Sequence, residues 1–198
     1  KQKLKLLLLK EKNNLIKEQP KKIGIGDVIK QDISEKQVKL SYLALGSNLG
    51  NKIHNLEKAK FELEKNKIKI IKSSGYYLSV SWPDPTKPKF VNLVLKVKTS
   101  LSAIKLLNIC NLIEKKLGRL RSKKNSPRSC DIDIIDYDHK IIKDDRLILP
   151  HPRMKRRSFV LLPLFEINKS WKYPESKTNI VKLINSLPLK DLRSIKQM

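Results

Sequence analysis

The sequence predicts an α+β fold in which a largely antiparallel sheet packs against helices. Several segments alternate apolar and polar residues, as half-buried strands do, and others repeat apolar residues at helical spacing. The two kinds of segment do not follow each other in the strict alternation of a parallel sheet. Neighbouring strand segments are separated by short turn-forming stretches, which is typical of hairpins.

The predicted strands begin with residues 38–47, which alternate and then become apolar before Asn48. Residues 67–80 form two short pieces on either side of Ser73, Ser74 and Gly75, and residues 90–99 alternate throughout. Residues 130–142 predict a further strand that continues into a hairpin. These segments are enough to build one sheet.

Two longer segments, residues 51–66 and 100–118, predict amphipathic helices. A serine at the start of the second segment is an N-cap candidate, and Gly118 is a stop signal. The apolar side chains that we expect to face the core are Ile53, Leu56, Ala59, Phe61 and Leu63 in the first, and Leu101, Ile104, Leu107 and Leu112 in the second. A further helical segment follows residue 149, and a last short helix is predicted over residues 184–188.

Two loops are expected between these elements. Residues 81–89 contain three prolines, which exclude a helix or a central strand. Residues 119–127 are polar and basic. With 198 residues, the chain is long enough for one domain and an extension. We predict a Lys-rich extension or linker over residues 1–38 and the domain over residues 39–198.

The composition limits the classes of function. No apolar run approaches the about 20 residues that cross a bilayer, so no membrane segment is predicted. Two cysteines, Cys110 and Cys130, provide neither a disulfide framework nor a zinc spacing, which fits a reducing, cytoplasmic compartment. Cys110 is expected in the core. The net charge of +25 suggests nucleic acid, but lysines spread over every segment indicate a solvated surface instead.

The arginines have a different distribution from the lysines. Seven of the eight lie between residues 119 and 157. Because a guanidinium binds phosphate oxygens through two parallel hydrogen bonds, this clustering favours a polyphosphate site, with surface ion pairs as the alternative.

Two aspartates within this region provide the clearest chemical signal. Asp131 and Asp133 alternate with Ile132 in a predicted strand, so both carboxylates face the same side. Adjacent carboxylates repel each other, and Mg²⁺ relieves that repulsion while it binds substrate phosphates. Arg128 lies three residues upstream and could reach the same phosphates. A solvent-facing pair on an edge strand is the alternative.

Further polar and aromatic residues point to a heterocycle beside the phosphates. His151, fixed between two prolines, could donate to a phosphate or contact a purine edge, or could cap the following helix. Phe90 and Asn92 share one face of a strand, where a ring can stack and an amide can pair with a heterocycle's edge. Phe159 follows Arg157 in the next helical segment. Core packing is the alternative for these aromatics.

The chain resembles the 6-hydroxymethyl-7,8-dihydropterin pyrophosphokinase family in five segments that have the family's order and spacing. They are YLALGSNLGNK, FVNLVLKV, IEKKLGRLR, PRSCDIDII and LPHPRMKRRSFVLLPLFEI. The resemblance implies a ferredoxin-like α/β sandwich with mobile active-site loops. It also implies transfer of pyrophosphate from ATP to the pterin hydroxymethyl group in folate biosynthesis, with release of AMP and two Mg²⁺ ions. Fusion to a neighbouring folate-pathway enzyme is a further expectation.

The resemblance also implies roles for individual residues. The expected metal ligands are Asp131 and Asp133. The expected catalytic residues are these two aspartates together with Arg119, Arg121 and Arg128. The expected ATP-binding set is Asn111, Glu114, Arg128, Ile134, Arg146, His151 and Arg157. The expected pterin-binding set is Ser79, Val80, Trp82, Phe90, Asn92 and Phe159.

Three other functions remain as alternatives. A different two-metal nucleotidyltransferase would share a Gly-Ser pair and an Asp pair, but Ser47 and Asp131 lie 84 residues apart, which disfavours that class. A non-catalytic nucleic-acid-binding module predicts aromatics among basic residues on a sheet face, and only 6% of the residues are aromatic. A degenerate scaffold domain is disfavoured by the intact Asp pair, Arg128 and His151.

Overall fold

A computed structural model describes residues 37–81, 84–119 and 126–198. The elements in chain order are β1 Lys39–Ser47, α1 Lys52–Lys65, β2 Lys69–Ser73, β3 Tyr77–Ser79, β4 Phe90–Thr99, α2 Ala103–Lys116, β5 Asp131–Tyr137, β6 Ile142–Asp144, β7 Leu147–Leu149, a 3₁₀ turn Met154–Arg156, α3 Ser158–Ile167, α4 Ile180–Asn185, α5 Leu189–Arg193 and β8 Ile195–Gln197. No helix within these described ranges is both long and apolar enough to cross a membrane.

Six of the strands form one sheet in the described part of the chain. The order across it is β5-β1-β4-β3-β8, with β2 paired to β4 beside β3, and each of these pairs is antiparallel. Strands β6 and β7 form a separate hairpin. The predicted α+β class with an antiparallel sheet is therefore confirmed.

The sheet is the middle of three layers. Helices α1 and α2 cover one face, where Leu43, Leu93 and Leu95 are fully buried. Helices α3 and α4 cover the opposite face, where Tyr42 and Val94 pack under them. Both faces of β1 and β4 are thus buried, which explains why the sequence of β1 becomes continuously apolar.

The ends of α1 and α2 follow from local sequence. The side chains of Asn51 and Ser102 accept hydrogen bonds from the backbone N–H groups of His54 (3.1 Å) and Lys105 (3.3 Å), respectively, as N-caps do. After α2, Gly118 adopts φ +82°, a left-handed conformation that glycine tolerates best.

The predicted apolar faces of these helices were partly wrong. Ile53 and Phe61 on α1 are 39% and 65% exposed, while Leu56, Ala59 and Leu63 are buried as expected. On α2, Leu112 is 57% exposed, and the buried side chains are Ala103, Leu106, Cys110, Ile113 and Glu114. Apolar residues occupy more than one side of α2, so periodicity alone does not determine which side faces the sheet.

Two further elements differ from expectation. The chain does turn after β5, at Asp138 and His139, which both have positive φ, but β6 pairs with β7 rather than with β5. The last predicted helix begins four residues earlier than expected, at Ile180, because Asn179 caps it by accepting from Lys182 N–H at 2.8 Å.

Two of the leucines of α2, Leu106 and Leu112, allow a matched test of this packing. Leu106→Ala is expected to lower the free energy of unfolding by about 2–5 kcal/mol, because it leaves a cavity between α2 and the sheet. Leu112→Ala is expected to change it by less than about 0.5 kcal/mol, because its side chain is largely in solvent. Urea denaturation of both variants measures the difference, and equal losses would contradict the packing described here.

Candidate active site

One cleft lies where β1 ends, beside the first residues of β4 and β5. The register places Gly46 of β1 directly opposite Asp131 of β5 on one side and Asn92 of β4 on the other. Asn92 in turn pairs with Tyr77 of β3. The side chains and backbone that line the cleft belong to Ala44, Leu45, Gly46, Ser79, Val80, Phe90, Asn92, Arg119, Arg128, Asp131, Asp133, Arg153, Arg157, Phe159 and Val160.

The two aspartates face the cleft together. Asp131 and Asp133 are partly exposed, whereas Ile132 and Ile134 between and after them are buried in the core under α1 and α2. This is the arrangement that the two-residue period of a strand predicts. The pair therefore presents its carboxylates side by side at the edge of the cleft.

Arginines from three segments surround this pair. Arg119 Nη1 lies 2.7 Å from Asp131 Oδ1, Arg128 Nη1 lies 3.0 Å from Asp131 Oδ2, and Arg157 Nη1 lies 2.9 Å from Asp133 Oδ2. Together with Glu114, which pairs with Arg119, these residues form what we call the ion-pair network. It contains three guanidinium groups and three carboxyl groups.

Glu114 connects α2 to β5 within this network. Its Oε1 accepts a hydrogen bond from the Ile132 N–H at 2.7 Å. Burial raises the pKa of Glu114 to about 7, although the Ile132 N–H and Arg119 favour the carboxylate. Burial disfavours the charge of Arg119, but Asp131 and Glu114 together raise its pKa. Glu114 therefore does not line the cleft itself. It holds Arg119, which does, near the start of β5.

Arg128 is held through its backbone by a residue that sequence analysis did not identify. The Asn48 side chain accepts from Arg128 N–H at 2.7 Å, and Asn48 N–H donates to Arg128 C=O at 3.1 Å. The Asn48 amide also donates to Pro88 C=O at 3.2 Å, near the start of β4. Asn48 is only 2% exposed, so its polar atoms need these partners, but no short pattern in the sequence marks it.

His151 lies on the other side of Asp133. Its Nε2 is 3.6 Å from Asp133 Oδ2, and its Nδ1 accepts a hydrogen bond from Arg153 N–H at 3.2 Å. Burial lowers the pKa of His151, despite the opposing effect of Asp133. A neutral imidazole with Nδ1 as acceptor carries its proton on Nε2, which therefore faces Asp133 as a donor.

Two aromatic rings also line the cleft. Phe90 and Phe159 both line it, and the guanidinium groups of Arg128 and Arg157 lie 6.0 Å and 5.5 Å from the centres of these two rings. We call the space bounded by Phe90, Phe159 and Asn92 the aromatic slot. A flat ring can stack there within reach of the ion-pair network.

The amide of Asn92 has a defined orientation in this slot. Its Nδ2 donates to Ser79 Oγ at 2.9 Å and to Tyr77 C=O at 3.2 Å. A Cβ atom on Gly46 would lie only 3.1 Å from Asn92 Oδ1 and 3.4 Å from Phe90 Cδ1. Glycine at position 46 therefore leaves the room that these two side chains occupy.

The structure brings ten of the predicted site residues into this cleft: Ser79, Val80, Phe90, Asn92, Arg119, Arg128, Asp131, Asp133, Arg157 and Phe159. It also adds Arg153, which belongs to the arginine-rich stretch but was not assigned a role. His151 approaches through Asp133. Trp82 and Arg121 lie outside the described residues.

Three other predicted positions do not face the cleft. Arg146 lies in the turn between β6 and β7, with a side chain that is 69% exposed and paired with Asp144. Asn111 is exposed on α2. The side chain of Ile134 is buried in the core on the opposite face of the sheet, so at this position only backbone atoms could contact a ligand.

Comparison with known proteins identifies the family. The family model for 7,8-dihydro-6-hydroxymethylpterin-pyrophosphokinase (HPPK) matches residues 42–169. The chain is 37% identical over 145 residues to the 2-amino-4-hydroxy-6-hydroxymethyldihydropteridine pyrophosphokinase of Haemophilus influenzae, which covers 72% of this chain and 91% of that protein. It is 39% identical over 154 residues to the folic acid synthesis protein fol1 of Pneumocystis carinii, covering 78% of this chain but only 21% of that protein.

Solved structures support the same fold. A crystal structure of a Plasmodium falciparum HPPK-DHPS variant with pterin and p-hydroxybenzoate superposes with a TM-score of 0.62 at 15% identity, covering 81% of this chain and 47% of that chain. The chain thus spans about a fifth of the P. carinii protein and about half of the solved P. falciparum chain. Because the family model matches residues 42–169 and the H. influenzae enzyme is 37% identical, the chain belongs to the 7,8-dihydro-6-hydroxymethylpterin-pyrophosphokinase family.

Proposed function

We propose that the chain transfers the pyrophosphoryl group of MgATP to the hydroxymethyl oxygen of 6-hydroxymethyl-7,8-dihydropterin and releases AMP, as a step of folate biosynthesis. One observation carries the proposal beyond family membership. A single cleft joins an arginine and carboxylate network to a slot bounded by two phenylalanines and an oriented amide. This is the pairing that a polyphosphate donor and a flat heterocyclic acceptor require.

The ion-pair network is suited to bind the β- and γ-phosphates. Without ligand, Arg119, Arg128 and Arg157 are paired with carboxylates. The oxygens of a polyphosphate could take the place of these carboxylates, since a guanidinium binds phosphate oxygens bidentately. Arg153 also lines the cleft, where it could add a positive charge. His151 could donate through Nε2 to a phosphate oxygen.

The acidic pair fits Mg²⁺ ions that bind together with the nucleotide. Asp131 and Asp133 supply hard oxygen ligands. Within the described ranges, no group of three or more His, Cys, Asp or Glu side chains could hold a metal ion. Mg²⁺ commonly takes one or two carboxylates and completes its shell with phosphate oxygens and water. We propose two ions, which would neutralise phosphate charge during transfer.

The aromatic slot would bind the pterin. Phe90 and Phe159 both line the cleft and would stack on the two faces of the pterin, with Ser79 and Val80 lining the same cleft. Because both Asn92 amide hydrogens point towards β3, its Oδ1 remains as an acceptor for the N–H groups of the pterin edge. The hydrogen-bonding pattern of the slot therefore favours a donor-bearing heterocycle.

In the proposed reaction, the hydroxymethyl oxygen forms a bond to the β-phosphorus. The bond from that phosphorus to the oxygen it shares with the α-phosphorus breaks, AMP leaves with that oxygen, and the hydroxyl proton passes to water. Such a transfer depends mainly on positioning and charge stabilisation. Arg119, Arg128 and Arg157 would stabilise the charge on the transferred group, while the slot holds the acceptor oxygen in line.

The proposal extends to the context of the domain. Residues 39–198 would form the catalytic domain, with residues 1–38 as an extension of it, since the family model begins at residue 42. Matches to longer folate-synthesis proteins support a chain that occurs fused to another enzyme of the same pathway. We propose a cytoplasmic location, since both cysteines, Cys110 and Cys130, are free and buried.

The direct test is an assay of the purified chain with ATP, Mg²⁺ and 6-hydroxymethyl-7,8-dihydropterin. AMP and the pterin diphosphate are expected in equal amounts, and each is expected only when all three components are present. ATP consumption without a pterin product would contradict the proposal.

Loss of either carboxylate of the acidic pair should abolish turnover. Asp131→Ala and Asp133→Ala are each expected to lower kcat/KM by at least about 100-fold, because charge on the transferring phosphates is no longer neutralised. AMP release is the measurement. Asp191→Asn in α5, outside the cleft, is the matched control and is expected to retain wild-type activity. Near-normal turnover of either alanine variant would contradict the proposal that Asp131 and Asp133 bind the Mg²⁺ ions.

Gly46→Ala should affect the pterin more than the nucleotide. The added Cβ would press on Asn92 Oδ1 and Phe90, although φ at this position suits any residue. We expect about tenfold weaker pterin binding, since sub-ångström displacement of a binding group has effects of this size, with little change in nucleotide affinity. Calorimetric titrations with a non-hydrolysable ATP analogue and then with pterin separate the two effects. Equal loss of both affinities would argue against a distinct slot.

The half-buried His151 should make folding stability depend on pH. His151 has a folded-state pKa below its ordinary value of 6.5, so below that pH the unfolded chain binds a proton that the folded chain excludes. Stability is therefore fully present above pH 6.5 and is lost as the pH falls towards the folded-state pKa. Urea denaturation from about pH 7.5 to 5 should show a shallower decline for His151→Gln. His54→Gln, on the exposed side of α1, should follow the wild-type profile.

A further inference from the structure

Glu166 lies outside the cleft, yet its carboxylate joins two elements that bound the cleft. It is a half-buried residue near the end of α3. Its Oε1 accepts a hydrogen bond from the Gly75 N–H at 3.0 Å, and its Oε2 accepts from the Tyr77 hydroxyl at 2.8 Å. Both donors belong to the segment that enters β3. The proposed catalytic mechanism has no role for this carboxylate.

The strand that Glu166 holds supports one wall of the aromatic slot. Tyr77 pairs with Asn92 and Ser79 pairs with Phe90 across β3 and β4. The Asn92 amide donates to Tyr77 C=O and Ser79 Oγ, so its orientation depends on the position of β3. The three residues of β3 pair with β4 on one edge and with β8 on the other, and the two bonds from Glu166 add a tie from this strand to α3.

The helix that carries Glu166 supplies the other wall. Phe159 precedes Glu166 by seven residues on α3, which is about two helical turns, so both side chains point from the same side of the helix. Phe159 therefore faces the slot from the first turn of α3 while Glu166 holds β3 from the last. A single carboxylate thus connects the wall of Phe159 to the wall of Phe90 and Asn92.

We propose that Glu166 and Tyr77 form a clamp that sets the width of the aromatic slot and the orientation of the Asn92 amide, and so tunes affinity for the pterin. The inference rests on the proposed function for the identity of the ligand. Glu166 and Tyr77 act as positioning residues and do not touch the substrate. Burial and the neighbouring Glu166 both raise the pKa of Tyr77, which keeps the hydroxyl protonated as the donor of this bond.

The adjacent tyrosine provides a matched control within the same chain. The Tyr76 hydroxyl donates to Glu57, which belongs to α1 on the opposite face of the sheet. This is the same Tyr–Glu chemistry, one residue earlier, and it ties the segment to a helix that does not border the slot. Tyr77→Phe and Tyr76→Phe each remove one such bond, but only the bond to Glu166 connects the two walls.

The experiment compares Tyr77→Phe and Glu166→Ala with Tyr76→Phe and Glu57→Ala. Isothermal calorimetry gives the Kd of a non-hydrolysable ATP analogue with Mg²⁺, and then the Kd of 6-hydroxymethylpterin for that complex. We expect the clamp variants to bind pterin about tenfold more weakly, with the nucleotide Kd unchanged within about twofold. We expect the Tyr76 and Glu57 variants to match the wild type in both affinities. In assays, KM for the pterin should rise more than kcat falls.

The conservative variant Glu166→Gln separates the effect of the hydrogen bonds made by this side chain from the effect of its negative charge. In Glu166→Gln, Oε1 can still accept from Gly75 N–H while Nε2 donates to the Tyr77 oxygen, so most of the pterin affinity should be recovered relative to Glu166→Ala. The clamp is refuted if the Tyr76 and Tyr77 variants weaken pterin binding equally. It is also refuted if the Tyr77 variant leaves pterin affinity unchanged, or lowers nucleotide affinity by the same factor.

Hydrogen–deuterium exchange tests the clamp independently of the reaction. Peptides covering residues 75–79 and 90–92 should exchange faster in Tyr77→Phe than in Tyr76→Phe, because only the former releases β3 from α3. If the wild-type chain binds nucleotide but no pterin, the proposed function is wrong. The hydrogen–deuterium exchange rates then test the clamp without reference to a ligand. Unchanged exchange in Tyr77→Phe would refute it.

Discussion

The antiparallel register across the sheet is the constraint on which the site depends. One row of paired residues places Asp131 beside Gly46, Gly46 beside Asn92 and Asn92 beside Tyr77. Strands in such a ladder lie about 5 Å apart, so the row fixes the distance from the acidic pair to the aromatic slot. A shift of one residue in any strand would turn its side chains to the opposite face. The buried apolar residues on both faces of β1 and β4 oppose such a shift, so core packing keeps the acidic pair and the aromatic slot at a fixed separation.

The three arginines of the ion-pair network are paired with carboxyl groups before any ligand binds. Three arginines from the α2 terminus, the loop before β5 and the start of α3 neutralise Asp131, Asp133 and Glu114. A polyphosphate with its cations can replace these pairings without leaving a buried charge uncompensated: the cations take the aspartates and the phosphates take the arginines. Glu114 is anchored separately, since its carboxylate accepts a hydrogen bond from the Ile132 N–H of the core strand β5. The network is therefore able to exchange partners while one anchor keeps Arg119 in position.

The sequence was most informative where function depends on a short local pattern. The two-residue period of β5 was enough to place Asp131 and Asp133 on one face, and turn-forming residues marked most strand ends. It was least informative where several faces of a helix are apolar, as in α2, where the sheet buries Leu106 and leaves Leu112 in solvent. Asn48 was missed for a related reason. Its role arises from hydrogen bonds to Arg128 and Pro88, which lie 80 and 40 residues away along the chain, and such contacts exist only once the sheet has formed.

The same distinction explains why a residue such as Glu166 can matter without belonging to any motif. A catalytic carboxylate needs a particular neighbour, which leaves a short pattern in the sequence. A positioning carboxylate needs only to reach a backbone N–H and a hydroxyl on another element, and its sequence context on α3 is ordinary helix. Tyr76 and Tyr77 are adjacent and chemically alike, yet the alternation of side chains sends one to α1 and the other to α3. Only the three-layer arrangement, with the slot on one face of the sheet, gives the two bonds different consequences.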